Sequence, residues 1–285
     1  AARVVMARPV VSVLLAAGLL VAAALPYVDL HRGQAGVESL PPSNLRTAYE
    51  LLIRDFPAGR VAPVEIVVDA PRTDAVAAGI NRLVASLAPD PAFGFAEPAQ
   101  WNAAGDLALV RVPLTAEAST PQALVAVASL REYLIPEAFA GTGAKVLVTG
   151  TPAQNADFEA VIHHYTPIVF AFVLGLSFLL LMVAFRSLVV PLKAIVMNLL
   201  SVGAAYGVLV LVFQKGYLHG VLGFQQTPTI ENWVPIFLFC VLFGLSMDYH
   251  VFLLSRIREH YDQTRDNRES VAVGLQSTAK IITGA

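Results

Sequence analysis

The residues best suited to chemistry in this chain are three in a row, Asp248, Tyr249 and His250, in the run VPIFLFCVLFGLSMDYHVFLLSRIR at 234–258. The run is long and apolar enough to cross a bilayer, which takes about 20 helical residues, yet it carries a carboxylate well inside. A charge near the middle of a membrane helix costs roughly 2.5 to 3.5 kcal/mol on insertion scales, so one that is present has a task, facing protein or a wet cavity. A carboxyl in that setting can load and release a proton. The competing reading is a protonated Asp248 that only hydrogen-bonds across a helix interface.

Helical spacing puts Val241, Gly244, Leu245, Val251, Phe252 and Ser255 on the Asp248 face. None of them can neutralise a charge, so the partner must come from another helix, and Gly244 would let its backbone approach. Tyr249 sits about 100° round the helix and is placed to share a partner or a water with Asp248. Asn198, one turn inside another apolar run, is a candidate partner for the carboxylate. Ser246, two residues before Asp248, is a further candidate neighbour, for the relay or for helix packing.

The elements around these residues are those of a membrane protein. Hydrophobic residues make up 56% of the chain and charged ones 14%, with a mean hydropathy of +0.64, far from a soluble average of about 25% charged. The lone Cys240 lies in an apolar run, which leaves no disulfide framework and no cysteine-based metal site. Apolar runs at 10–25, 168–185, 194–213 and 234–258 read as four spans. A cleaved signal peptide competes for the first, because Ala22, Ala23 and Ala24 are small residues near its end. Gly203 and Gly207 form a GxxxG pair in the third span and predict close helix packing.

Between the first two spans, residues 28–165 hold 15 acidic and 9 basic residues, a net charge of −6, with no clustered basic surface for a nucleic acid. Ser43 can cap a helix running to Phe56. Strands are expected at 64–70, 93–97, 107–114 and 145–148, with helices at 74–87 and from Thr120 to about 134. The order βαββαβ predicts an α+β, ferredoxin-like domain. Asp157, Glu159, His163 and His164 invite a metal reading. Adjacent histidines point in different directions on a helix and no HExxH spacing is present, so a solvated or interfacial helix leading into the second span is expected instead.

Positive residues fall at one end of every span: Arg3 and Arg8, the loop 186–193, and Arg256, Arg258, Arg265 and Arg268. If that side is cytoplasmic, residues 28–165 are extracytoplasmic. Residues 270–278 are expected to form a short interfacial helix ahead of a fifth span. The chain has no initiator Met and stops at KIITGA, and so reads as an excised piece.

Two blocks carry a specific resemblance: FRSLVVPLKAIVMNLLSVGAAYGVLVLVFQKG at 185–216 and FGLSMDYHVFLLSRIREHY at 243–261. Both resemble the MmpL (MMPL) family of the resistance-nodulation-division (RND) superfamily of transporters. The resemblance implies a twelve-helix, two-repeat protein of the bacterial cytoplasmic membrane, with this chain as its second half. Residues 1–27 would be the seventh span, 28–165 a porter-like domain, and 166–285 the eighth to tenth spans and the start of the eleventh. It further implies that Asp248 and Tyr249 belong to a proton relay driving export of lipids or hydrophobic compounds. Protons would be the coupling ion, with no other cofactor and no metal. The partners would be the first half of the transporter, the cargo, membrane lipids and a second copy in a homo-oligomer. Departures stand out: the family's companion Asp-Tyr pair of the fourth span belongs to the first half and is absent here, so this piece alone is not expected to transport; His250 follows the pair where many relatives have a non-basic residue, and Ala279-Lys280 stands where Gly-Arg is frequent. His250 could tune the relay or face a neighbouring helix. Two other classes remain: an intramembrane enzyme, which as an aspartyl protease would need a second carboxylate inside a span, and a non-transporting, sterol-sensing-like scaffold.

Overall fold

The computed structural model describes residues 8–34, 36, 40–55 and 61–284. Arg3 and Phe56 lie outside them. In chain order the elements are α1 (Pro9–Ala24, followed by a 3-10 turn at Leu25–Asp29), β1 (Arg32–Gly33), α2 (Asn44–Asp55), β2 (Val64–Asp69), α3 (Asp74–Leu87), β3 (Gln100–Trp101), β4 (Leu107–Val112), α4 (Pro121–Ser129), β5 (Lys145–Thr149), α5 (Thr151–Phe185), α6 (Val189–Leu209), β6 (Ile230–Glu231), α7 (Val234–Thr264) and α8 (Asn267–Gly284). Among the described residues, four stretches are long and apolar enough to cross a membrane: Pro9–Asp29, Thr151–Phe185, Val189–Gln214 and Val234–Thr264. Contacts divide the chain into two units, one of residues 1–30, 165–226 and 233–285 and the other of 31–164 and 227–232.

The second unit is built on a four-stranded antiparallel sheet in the order β3-β4-β2-β5. Its strands alternate as half-buried strands must. Val64, Ile66 and Val68 of β2 and Ala108, Val110 and Val112 of β4 are buried, while Glu65, Val67, Leu109 and Arg111 point the other way, Arg111 Nε donating to Glu65 Oε1 at 3.0 Å. The buried face is covered by Val76, Ile80, Leu83 and Leu87 of α3 and Ala123, Ala126 and Val127 of α4. Thr73 caps α3 by accepting from the Val76 N–H at 3.3 Å. α4 runs further than its pattern predicts, through a π turn at Leu130–Leu134 and a last turn at Ile135–Ala138, whose Ala138 carbonyl is satisfied by Arg82 Nε and Nη2 at 3.0 and 2.7 Å.

The strand expected at 93–97 is not there. Phe93 makes an isolated bridge to Leu114, Gly94 and Glu97 each donate one bond to β4 or its continuation, and the edge strand forms at Gln100–Trp101. Pro98 cannot donate to a ladder, which is the reason pairing breaks before it resumes. Residues 227–232, expected among the membrane segments, cluster with this unit because β1 and β6 form a two-residue parallel ladder, with the Ile230 N–H on the His31 carbonyl at 2.9 Å.

In the first unit, α6 packs on α1 and α7. An ideal Cβ on Gly207 would lie 1.8 Å from the Ala23 carbonyl oxygen, and one on Gly203 would lie 3.4 Å from Ala24 Cβ. Tyr27 stacks on Tyr206 with ring centroids 5.2 Å apart, and Lys215 pairs with Asp29 at 2.5 Å. α5 is continuous from Thr151 through Pro167, so the helical lead and the second span are one helix of 35 residues. α8 is likewise one helix of 18 residues, where a short helix ending near 278 was expected. Gly274 is the only glycine or proline between Asn267 and Thr283, and it does not break the helix. It lets α8 lie against α7, since a Cβ there would meet Ile257 Cγ1 at 2.4 Å.

Candidate functional site

α7 presents two opposed faces. Phe239, Phe243 and Met247, at i, i+4 and i+8, are buried and join Leu181 of α5 with Ala194, Val202 and Tyr206 of α6 in one apolar cluster. Phe170 stacks on Phe239 at a centroid distance of 3.8 Å, and the Tyr206 hydroxyl donates to the Pro235 carbonyl in the first turn of α7. These contacts fix the rotation of α7 about its axis, and with it the direction in which every other residue points.

The opposite face holds Val241, Gly244, Leu245, Asp248, Val251, Phe252 and Ser255, all exposed. Nothing lies within 4 Å of a Cβ built on Gly244. Among the described residues Asp248 has no hydrogen bond or ion pair, and neither has Tyr249, which is half-buried. His250 Nδ1 lies 3.3 Å from the Ser246 carbonyl, one turn back on its own helix. No hydrogen bond links these three consecutive side chains, which the 100° step between neighbours points in different directions.

Asn198 does not reach Asp248. It is 1% exposed, accepts the Ser246 hydroxyl at 2.6 Å and lies with Nδ2 3.5 Å from Met247 Sδ. Ser246 and Asp248 are two residues apart, about 200° round the helix, so an amide that meets one faces away from the other. Asn198 and Ser246 form a buried polar contact between α6 and α7. Sequence reasoning that compared only depth along the two helices missed this, because depth says nothing about rotation.

The acidic and histidine group at the start of α5 is drawn to different partners. Arg131 Nη2 donates to Asp157 Oδ2 at 3.0 Å and to the Val148 carbonyl at 3.1 Å. Glu159 and His163 line a groove against α4 with Arg131 and Glu132.

Comparison with known proteins gives this geometry its context. The chain is 32% identical, over 99% of its length, to "Mycolic acid-containing lipids exporter MmpL11" of Mycolicibacterium smegmatis, covering 30% of that protein. It is 33% identical over 99% of its length to "Heme uptake protein MmpL11" of Mycobacterium tuberculosis, covering 29% of it, and 30% identical over 99% of its length to "Trehalose monomycolate exporter MmpL3" of the same organism, covering 30% of it. The chain thus spans about 30% of the length of the curated relatives it matches. The model of the MMPL family matches residues 40–285. Four membrane-length helices and a family match over most of the sequence agree: this multipass membrane chain belongs to the MMPL family of RND transporters.

Proposed function

We propose that the chain is the second half of an exporter of lipids or other hydrophobic compounds, driven by the proton motive force across a bacterial cytoplasmic membrane. Asp248 and Tyr249 supply this half's share of the proton relay. The βαββαβ unit, whose strand order read from β5 is fourth, first, third, second, is a ferredoxin-like porter domain on the extracytoplasmic side. The observation that carries the reading is the exposed face of α7: a carboxylate at mid-helix, exposed and without a hydrogen bond or ion pair among the described residues, beside an open Gly244, while Phe239, Phe243 and Met247 on the other face are buried. A group that must exchange protons and meet a partner helix needs that arrangement, and a carboxylate left in lipid would cost roughly 2.5 to 3.5 kcal/mol.

The cargo class follows from the relatives, two of which are named as exporters of mycolic-acid lipids or trehalose monomycolate and one as a heme uptake protein. The partners are the first half of the transporter, surrounding lipids and a second copy in a homo-oligomer, and protons are the coupling ion. Gly203, Gly207, Asn198 and Ser246 act in helix packing, and Gly244 leaves room for the partner helix.

The test is Asp248→Asn in the full-length protein, which keeps size and hydrogen bonding but cannot ionise. Each elementary charge moved through 100 mV is worth about 2.3 kcal/mol, available only if a group in the field binds and releases the proton. Export with an imposed proton gradient, at matched expression, should fall to background. Export at the parental rate that still collapses with the gradient would make Asp248 a structural residue and move the relay elsewhere.

A further inference from the structure

Within the membrane unit, the start of α1 and the corner between α7 and α8 border an open, shallow cavity of about 670 Å³ lined by Pro9, Arg265, Asp266, Asn267, Arg268 and Val271. Its charges are two guanidiniums and one carboxylate, and the carboxylate is already engaged. Asp266 Oδ1 accepts the N–H groups of Arg268 at 2.8 Å and Glu269 at 3.0 Å, capping α8. The arginines are not so held. Arg265 closes α7 in left-handed backbone at φ 56°, 4.0 Å from Asp262 and 5.6 Å above the Tyr261 ring, with its side chain 73% exposed. An ion pair that long and that exposed is worth little. Arg268 is exposed and has no side-chain hydrogen bond or ion pair among the described residues.

The cavity has an apolar side as well. Pro9 is the first residue of α1, and the apolar run that begins at Val10 exposes Val10, Val13 and Leu14 at 69%, 65% and 67%. Guanidinium forks match phosphate oxygens with parallel N–H donors, and basic residues at the end of a span draw anionic lipid. A soluble anion would use the arginines alone, whereas a lipid uses both sides. We propose that this cavity binds the headgroup phosphate of an anionic phospholipid between Arg265 and Arg268, with an acyl chain lying along the exposed face of α1. The site is separate from the Asp248 face and does not depend on the relay.

The full-length protein, purified and delipidated, is titrated with phosphatidylglycerol and with phosphatidylcholine, and bound lipid is counted by native mass spectrometry. Losing a charge-assisted contact to a phosphate should lower phosphatidylglycerol retention about tenfold in Arg265→Gln/Arg268→Gln, with phosphatidylcholine unchanged. Arg256→Gln, outside the cavity, should bind as the parent does. Arg268→Gln alone, which removes no internal bond, should show part of the loss and serves if the double variant does not fold. Equal retention of the two lipids by the parent, or an undiminished preference in folded Arg268→Gln and the double variant, overturns the proposal. So does displacement of phosphatidylglycerol by inorganic phosphate at equal concentration, which would make the cavity a site for the free ion.

Discussion

Asp248 and Asn198 are both polar residues inside apolar helices, and their surroundings assign them opposite roles. Asn198 is buried with its oxygen bonded to Ser246, so it acts through packing. Asp248 is exposed on a face of its own. A double-mutant cycle on Asn198→Leu and Ser246→Ala should give a coupling near the average for interhelical hydrogen bonds in membranes, about 0.6 kcal/mol and at most about 1.7, by thermal unfolding of the full-length protein. Both single variants should keep export sensitive to the proton gradient. Tyr249→Phe removes a hydroxyl that has no bond among the described residues, so melting should stay at the parental value while export slows. Parental export by Tyr249→Phe would remove the phenol from the relay. The 3.6-residue period alone put Gly244, Leu245, Phe252 and Ser255 on the Asp248 face, because that is a property of one helix. The rotation of α6 against α7 depends on Tyr206 meeting Pro235 while Asn198 meets Ser246 and Met247, and no single segment encodes it.

Among the elements, the contact between α1 and α6 sets two glycines against each other. A methyl on Gly203 would rest 3.4 Å from the Ala24 side chain, an ordinary van der Waals approach, whereas a methyl on Gly207 would overlap the Ala23 carbonyl at 1.8 Å. Backbone cannot swing aside as a side chain does. Gly203→Ala should therefore melt within a degree or two of the parent, while Gly207→Ala forces α1 away and should cost about 1 to 3 kcal/mol, as overpacking does. Thermal unfolding in one detergent decides it, and equal stability of the two variants would show that α1 does not sit where this contact puts it. The GxxxG spacing announced a close approach and left the partner open, since Ala23 lies 184 residues away. The strand pattern was clearest where alternation was longest, at Val64–Asp69 and Leu107–Val112, and failed at 93–97, where an edge segment beside prolines is held by single bonds. The joining of 227–232 to β1 left no trace in the sequence, because two-residue strands have no period to read.

For the molecule as a whole, the arginine bias of the loops and the exposed face of α7 lead to separate expectations. If the basic ends are cytoplasmic, the turn between β3 and β4 faces outward, and Ala104 is exposed there with no side-chain bond to lose. In an otherwise cysteine-free full-length protein, Ala104→Cys in intact cells should react with a membrane-impermeant thiol reagent; reaction only after permeabilisation would invert the topology. The second expectation concerns sufficiency. Val241, Gly244 and Leu245 flank Asp248 and are exposed as it is, so in a bilayer this chain alone would turn its carboxylate towards lipid. The insertion cost of roughly 2.5 to 3.5 kcal/mol favours any helix that covers the face with a polar partner, which the first half would supply. Vesicles reconstituted with this chain alone should show no gradient-driven export, and adding the first half as a separate chain should restore it. Export by the single chain at a rate matching the pair would mean that Asp248 works without a second repeat.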